Sequence, residues 1–329
     1  MVSYPTQSSA SGIWNIGDLS LYIQDGAWPA GAIGLVGGGT APGYGNSINK
    51  ITLLSKGNAI DFGDLSLSVS QNGYGQMAST TRGFLISGAE TPAGAYNNTI
   101  EFSTFTTSGS ASDFGDLTTR AQSVGTLSNS TRGVMAGGFT PTPNEITAIQ
   151  FITLATNGNT SSFGSLTQAR GATTGLASST RGVFSGGFVS PTTMVNTADF
   201  ITIASAGNAT DFGDLLSTTR GGGAGGNSTR GVYAGGQLGS SPFPTTNVVQ
   251  YITIASAGNY QDFGDLITAR SYCAGLSAQP ILAFAGGTGP TNLIDFVTID
   301  TLGNASDFGD LAEARFNFSA TSNNHGGLQ

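Results

Sequence analysis

The chain has 329 residues, of which 51 are glycine and only 9% are charged, with a formal net charge of -8 at pH 7; an ordinary soluble domain is about a quarter charged. Eleven Lys and Arg with no basic run exclude a nucleic-acid surface, and the single cysteine, Cys273, excludes a disulfide framework or a multi-cysteine metal cage. No apolar run approaches membrane-spanning length, and a hydrophobic fraction of 38% suits thin sheets of small residues.

Residues 1–30 form an expected N-terminal arm. It has no basic segment followed by an apolar one, so it does not read as a signal peptide, and synthesis in a cytoplasm is expected. Trp14 and Trp28 are candidate attachment residues, aromatic anchors for docking on a larger assembly, and the alternative is an arm lying across the rest of the fold.

From residue 31 onward the chain repeats. The pentapeptide Asp-Phe-Gly-Asp-Leu stands at 61–65, 113–117, 211–215, 262–266 and 307–311, with degenerate copies at 15–19 and 162–166. The central glycines are 46, 52, 49, 49, 51 and 45 residues apart. Within 171–220, ATTGLASST, RGVFSGG, TADFITIAS and NATDFGDL read as four short strands, the last two joined by a tight Gly-Asn turn where positive φ is cheap. Four strands per repeat of about fifty residues is the mark of a β-propeller. The Gly-Gly strand occurs six times (33–39, 83–88, 133–138, 182–187, 231–236, 281–287), so the expected fold is an all-β, six-bladed ring over 31–329. The C-terminal stretch 312–327 aligns with a first strand and is expected to complete the first blade, leaving no open edge. A seventh blade built partly from the arm is the alternative.

The charges follow the same phase. The nine arginines fall after the pentapeptide Leu (Arg120, Arg170, Arg220, Arg270, Arg315) or before the Gly-Gly strand (Arg82, Arg132, Arg181, Arg230), and eleven of nineteen acids lie in the pentapeptides. Asp211, Phe212, Gly213, Asp214, Arg220 and Arg230 therefore represent structural repeat positions, the Asp accepting backbone N–H groups and pairing with an Arg of the next strand. Calcium on the repeat aspartates is the sharper alternative, opposed by Ser162 and Ser165 in the third copy; no metal or cofactor is expected. A kinase reading of Asp-Phe-Gly lacks every other part of that machinery. The only histidine, His325, stands near the C-terminus, so histidine-based catalysis inside the ring is not expected.

Loops between the second and third strands vary most and hold eight of the eleven prolines. They should surround one mouth of the ring, on the face that also carries the links between blades. Tyr44, Tyr96, Phe139, Phe188 and Phe243 are the candidate ligand-binding residues there, flat faces for a sugar or a partner side chain.

Two resemblances rest on quoted residues. RGVYAGG (230–236), VVQYITIAS and DFGDLITAR (262–270) resemble the kelch pattern over roughly 31–325, with Phe114, Phe163, Phe212, Phe263 and Phe308 where kelch repeats carry tryptophan. SGIWNIGDLSLYIQDGAWP (11–29) followed by DFGDL and STRG repeats is similar to virion structural or tail-fibre proteins of marine tailed phages. Kelch-like copper oxidases need blade histidines and a Tyr-Cys crosslink; here Tyr272-Cys273 stands without the histidines. Six-bladed sialidases need an arginine cluster, which the phased arginines do not offer. The resemblance implies a non-enzymatic virion component, a tail-fibre or surface-appendage subunit that contacts other virion proteins and a host-surface glycan or receptor. Nucleic acid and membrane insertion are not expected, and homo-oligomerisation in the particle is left open. A glycan-cleaving propeller and a cellular interaction module are the alternatives.

Overall fold

A computed structural model describes residues 31–329 except 42, 87, 91–94, 142–143 and 240–241. The arm, with Trp14 and Trp28, lies outside the described residues, as does any seventh blade drawn from it. Six of the seven sheets formed by the described strands are the blades of a β-propeller, and the seventh is the two-residue pairing of Thr219–Arg220 with Gln237–Leu238; all strand pairings but that of Tyr74–Gly75 with Gly125–Thr126 are antiparallel. Blade 4 shows the pattern: Thr174–Ala177, Arg181–Val189, Thr193–Thr202 and Thr210–Asp214 pair in chain order from the inner to the outer strand. Blade 3 starts at Gly125–Ser128, blade 5 at Gly223–Gly226 and blade 6 at Ala274–Ala278. Blade 2 has a minimal inner edge, a bridge from Ala78 to Gly83, and the neighbouring Tyr74–Gly75 pairs parallel with Gly125–Thr126 of blade 3. In blade 1 the inner strand is the C-terminal Ser319–Ser322, antiparallel to Ile33–Gly37 with Gly34 opposite Ser322.

Residue size explains the layering. Apart from Leu127, Leu176 and Leu276, which reach into the clusters between blades, the inner strands of blades 1 and 3–6 are Gly, Ala, Ser and Thr because they converge on one axis: a Cβ on Gly175 would stand 2.3 Å from the Thr126 carbonyl oxygen, and one on Gly275 2.3 Å from that of Ala224. The second strands are buried on both faces and read as short apolar runs, while the third strands alternate. Apolar side chains then gather between blades rather than within them. Six buried clusters result, one for each pair of neighbours, and the cluster of Val36, Ile51, Leu276, Phe308 and Phe318 joins blade 6 to blade 1.

The pentapeptide is an inter-blade staple. Its Phe is buried and in blades 2–6 meets a third-strand aromatic edge to face, as in Phe200–Phe212 at 6.1 Å and 77°, while in blade 1 Lys50 lies over Phe62. The Phe and second Asp carbonyls accept N–H groups from the next blade: Gly258 N to Phe212 O is 2.7 Å and Tyr260 N to Asp214 O is 2.8 Å. The side chain of the Gly-Asn asparagine accepts in return, with Asp214 N to Asn259 Oδ1 at 3.1 Å. So Gly-Asn is a docking point, not the tight turn expected from sequence; the turn comes earlier, where Ser205 N donates to Thr202 O at 3.1 Å. Between blades 6 and 1 the contact recurs, Gly57 N to Phe308 O at 3.0 Å and Asp310 N to Asn58 Oδ1 at 3.1 Å. Gly213 adopts φ +144°, and a Cβ there would stand 2.5 Å from the Gly258 carbonyl oxygen, which is why the pentapeptide needs glycine.

The pentapeptide aspartates differ from expectation. Asp211 and its counterparts Asp61, Asp113, Asp262 and Asp307 are exposed, and none is in an ion pair among the described residues. The backbone of the pentapeptide makes the staple, so its first carboxylate is free to face water. Arg230 behaves as repeat hardware: it lies over the Tyr251 ring at 4.7 Å and donates to Ile299 O of the next blade at 2.9 Å, as Arg132 and Arg181 do in theirs.

Candidate binding site

Antiparallel order places the second-to-third loops and the links between blades on one face. There the link of each blade contains a residue in the left-handed region six positions after the pentapeptide Leu: Gln71, Ser123, Ala172, Gly221, Tyr272 and Asn317, with φ between 53° and 64°. These residues bond to one another around the axis, Ser123 N to Gln71 O at 2.8 Å, Ala172 N to Ser123 O at 2.8 Å, and on through Gly221 and Tyr272 to Asn317. The belt consumes backbone groups that would otherwise stay unpaired in the mouth.

Above the belt lies a cavity of about 470 Å³, within the range of small-ligand sites. Side chains of the belt form its floor, among them Gln71, Ser123, Tyr272 and Asn317, and the loops add Tyr96, Phe139, Glu145 and Phe188. Phe139 and Phe188 stand 6.0 Å apart, and Tyr74 and Tyr272 6.1 Å apart. Tyr74 Oη donates to Asn317 Oδ1 at 2.8 Å. Burial pushes the phenols of Tyr74 and Tyr272 up from their ordinary values, so both are neutral donors at physiological pH.

Three of the five aromatic candidates, Tyr96, Phe139 and Phe188, line this cavity. Tyr44 and Phe243 do not. Tyr44 lies in the third strand of blade 1, paired with Thr40, and half-buried Phe243 adopts φ +56° in the loop of blade 5.

Sequence phase groups Arg220 with the scaffold arginines, and the structure separates it. Arg170, Arg270 and Arg315 stand four residues after the pentapeptide Leu and are buried. Arg120 stands three residues after Leu117 and is exposed; Arg220 stands five after Leu215 and turns into the mouth. Its Nε and Nη2 donate to Gln237 Oε1 at 2.9 and 2.7 Å, and its guanidinium lies 4.6 Å from the Phe188 ring centroid. The one-residue offset from Leu was the signal available in the sequence.

A second feature escaped the sequence reading. One buried polar residue in each third strand, namely Asn49, Glu101, Gln150, Asp199, Gln250 and Asp295, accepts a backbone N–H from the link leaving the previous blade. Leu216 N to Gln250 Oε1 at 2.8 Å and Ala312 N to Asn49 Oδ1 at 3.3 Å are examples. These residues hold the links, and so the belt and cavity floor, in place.

The opposite end of the axis is filled. Gln76 bonds to Ser277 and Ser322 across the ring, and the C-terminal Gly326–Leu328 turn packs below it. His325 Nδ1 accepts from Gly327 N at 3.2 Å, which assigns the proton to Nε2, 3.1 Å from Ser128 Oγ. Burial lowers its pKa to about 4, the behaviour of a neutral packing group. Cys273 is buried, its thiol pushed up by desolvation, and Tyr272 points to the mouth. No group of three or more His, Cys, Asp or Glu positioned to hold a metal occurs among the described residues.

No protein-family model matches the chain, and no curated protein matches it in sequence.

Proposed function

We propose that the chain is a non-enzymatic virion structural protein of a tailed phage, a tail-fibre or surface-appendage subunit that engages a host-surface glycan or protein receptor through the mouth of its propeller. The observation that carries this reading is the cavity: variable loops on a rigid ring supply Tyr96, Phe139 and Phe188 to a recess floored by amides and neutral phenols. Flat aromatic faces with carboxamide partners are the chemistry of recognition, and proton transfer asks for groups poised near neutrality. The kelch-like repeat pattern and the order of the N-terminal segment and STRG repeats favour the virion setting. Geometry supports a polar arrangement too. Ile33 pairs with Thr52 at the end of blade 1 away from the mouth, so the described chain enters the ring on the far face, and attachment to other virion proteins from that face leaves the mouth clear.

Mass spectrometry of purified virions tests the setting, with the chain expected among the particle proteins; its absence from particles refutes the proposal. A host-glycan panel tests the mouth. Tyr96→Ala and Phe188→Ala should weaken binding about tenfold or more, and Phe243→Ala, outside the cavity, should leave it unchanged.

A further inference from the structure

We infer that the mouth selects a carboxylate-bearing sugar of the uronic-acid class, with Arg220 as its anion anchor; this rests on the proposal that the mouth binds a glycan. Each of the three in-phase arginines has its partner inside the protein: Arg170 on Asp199, Arg270 on Asp295, and Arg315 on the Gly38 and Ser47 carbonyls. Arg220 has no carboxylate within ion-pair distance among the described residues, and its Nη1 has no hydrogen-bond partner among them. Gln237 and the Phe188 ring nevertheless fix the plane of its guanidinium. A cation held rigid by neutral groups at the wall of a cavity is a preorganised anion site, because the side-chain entropy is already spent.

The rest of the lining specifies the anion. The Tyr74–Tyr272 and Phe139–Phe188 pairs offer flat walls to the C–H face of a pyranose, and Gln122 and Asn317 offer amides to its hydroxyls. Glu145 is the other charged residue lining the cavity, held by Ser190 N donating to its Oε1 at 3.0 Å. With one cation and one anion in the lining, Arg220 offers the single charge-assisted contact that a singly charged carboxylate needs.

Methyl β-glucuronoside and methyl β-glucoside titrated against the full chain by calorimetry test this. The acid is expected to bind about tenfold tighter, the ratio that one charge-assisted hydrogen bond sustains, with the preference shrinking as salt rises. Arg220→Gln should bring the acid down to parity with the neutral sugar measured on the same variant, whereas Arg120→Gln, an equal change of charge on the exposed surface, should alter neither. Glu145→Gln should tighten the acid. Parity in the unmodified protein, or a preference that survives Arg220→Gln, overturns the inference. Binding of the neutral sugar alone also overturns it but leaves the glycan-binding proposal standing. Binding of neither sugar overturns the inference, and the host-glycan panel then decides the wider proposal.

Discussion

Blades 4 and 6 solve one packing problem in one way, and blades 3 and 5 in another. In blades 4 and 6 the buried third-strand residue is Asp199 or Asp295, and the link residue four after Leu is Arg170 or Arg270. At the same positions blade 3 has Gln150 with Ala121, and blade 5 has Gln250 with Thr219, all buried. A short acid thus accompanies a long cation, and a long amide accompanies a small residue, as a fixed interior volume requires. Blade 1 follows the first pattern, Asn49 with Arg315, and blade 2 the second, Glu101 with Val69. In blade 5 the Tyr233 hydroxyl, 3.2 Å from Thr219 Oγ1, takes the place of the guanidinium; its counterparts in blades 4 and 6 are Phe184 and Phe284, whose carbonyls receive the arginines. The lesson is that Arg220 reaches the mouth because its blade has no interior room for it.

The comparison breaks first where a buried charge loses its partner. Asp199→Ala leaves Arg170 desolvated and uncompensated, and should cost about 3–5 kcal/mol in denaturant unfolding. Next comes blade 2, where a buried carboxylate has no arginine and Glu101 Oε2 has no hydrogen-bond partner among the described residues. Glu101→Gln keeps the acceptor for Ser66 N and should stabilise the fold by about 1–2 kcal/mol; a lower unfolding midpoint would contradict the reading that this carboxylate is buried without compensation. Converting blade 4 to the blade 5 pattern with Arg170→Thr and Asp199→Gln together should lie within about 1 kcal/mol of the parent, so the double-mutant cycle should show strong coupling. The smallest effect belongs to Arg120→Ala, which should shift stability by less than about 0.5 kcal/mol because the side chain is exposed and outside the interior position.

Much of the fold was legible because it is repeated. One period of glycines, one Gly-Gly strand and one alternating strand per blade sufficed to read all-β, four strands and six blades, and the mouth followed from antiparallel order. The cavity was legible only in part. Tyr96, Phe139 and Phe188 stood out by being aromatic in variable loops, but nothing in their sequence neighbourhood separates them from Tyr44 and Phe243, whose chains turn elsewhere. Arg220 was hidden by its own regularity, since five residues after a Leu looks like four until the blades are superposed.

What the sequence determined by itself is everything local and periodic: strand alternation, small residues for a crowded axis, glycine where the pentapeptide meets its neighbour's backbone. What only the tertiary structure decided is which repeated side chains point inward. Whether an arginine is buried on an aspartate, capped by a carbonyl or displaced into the mouth depends on the volume left by a third-strand residue about thirty positions away, and that volume exists only once the blade is assembled.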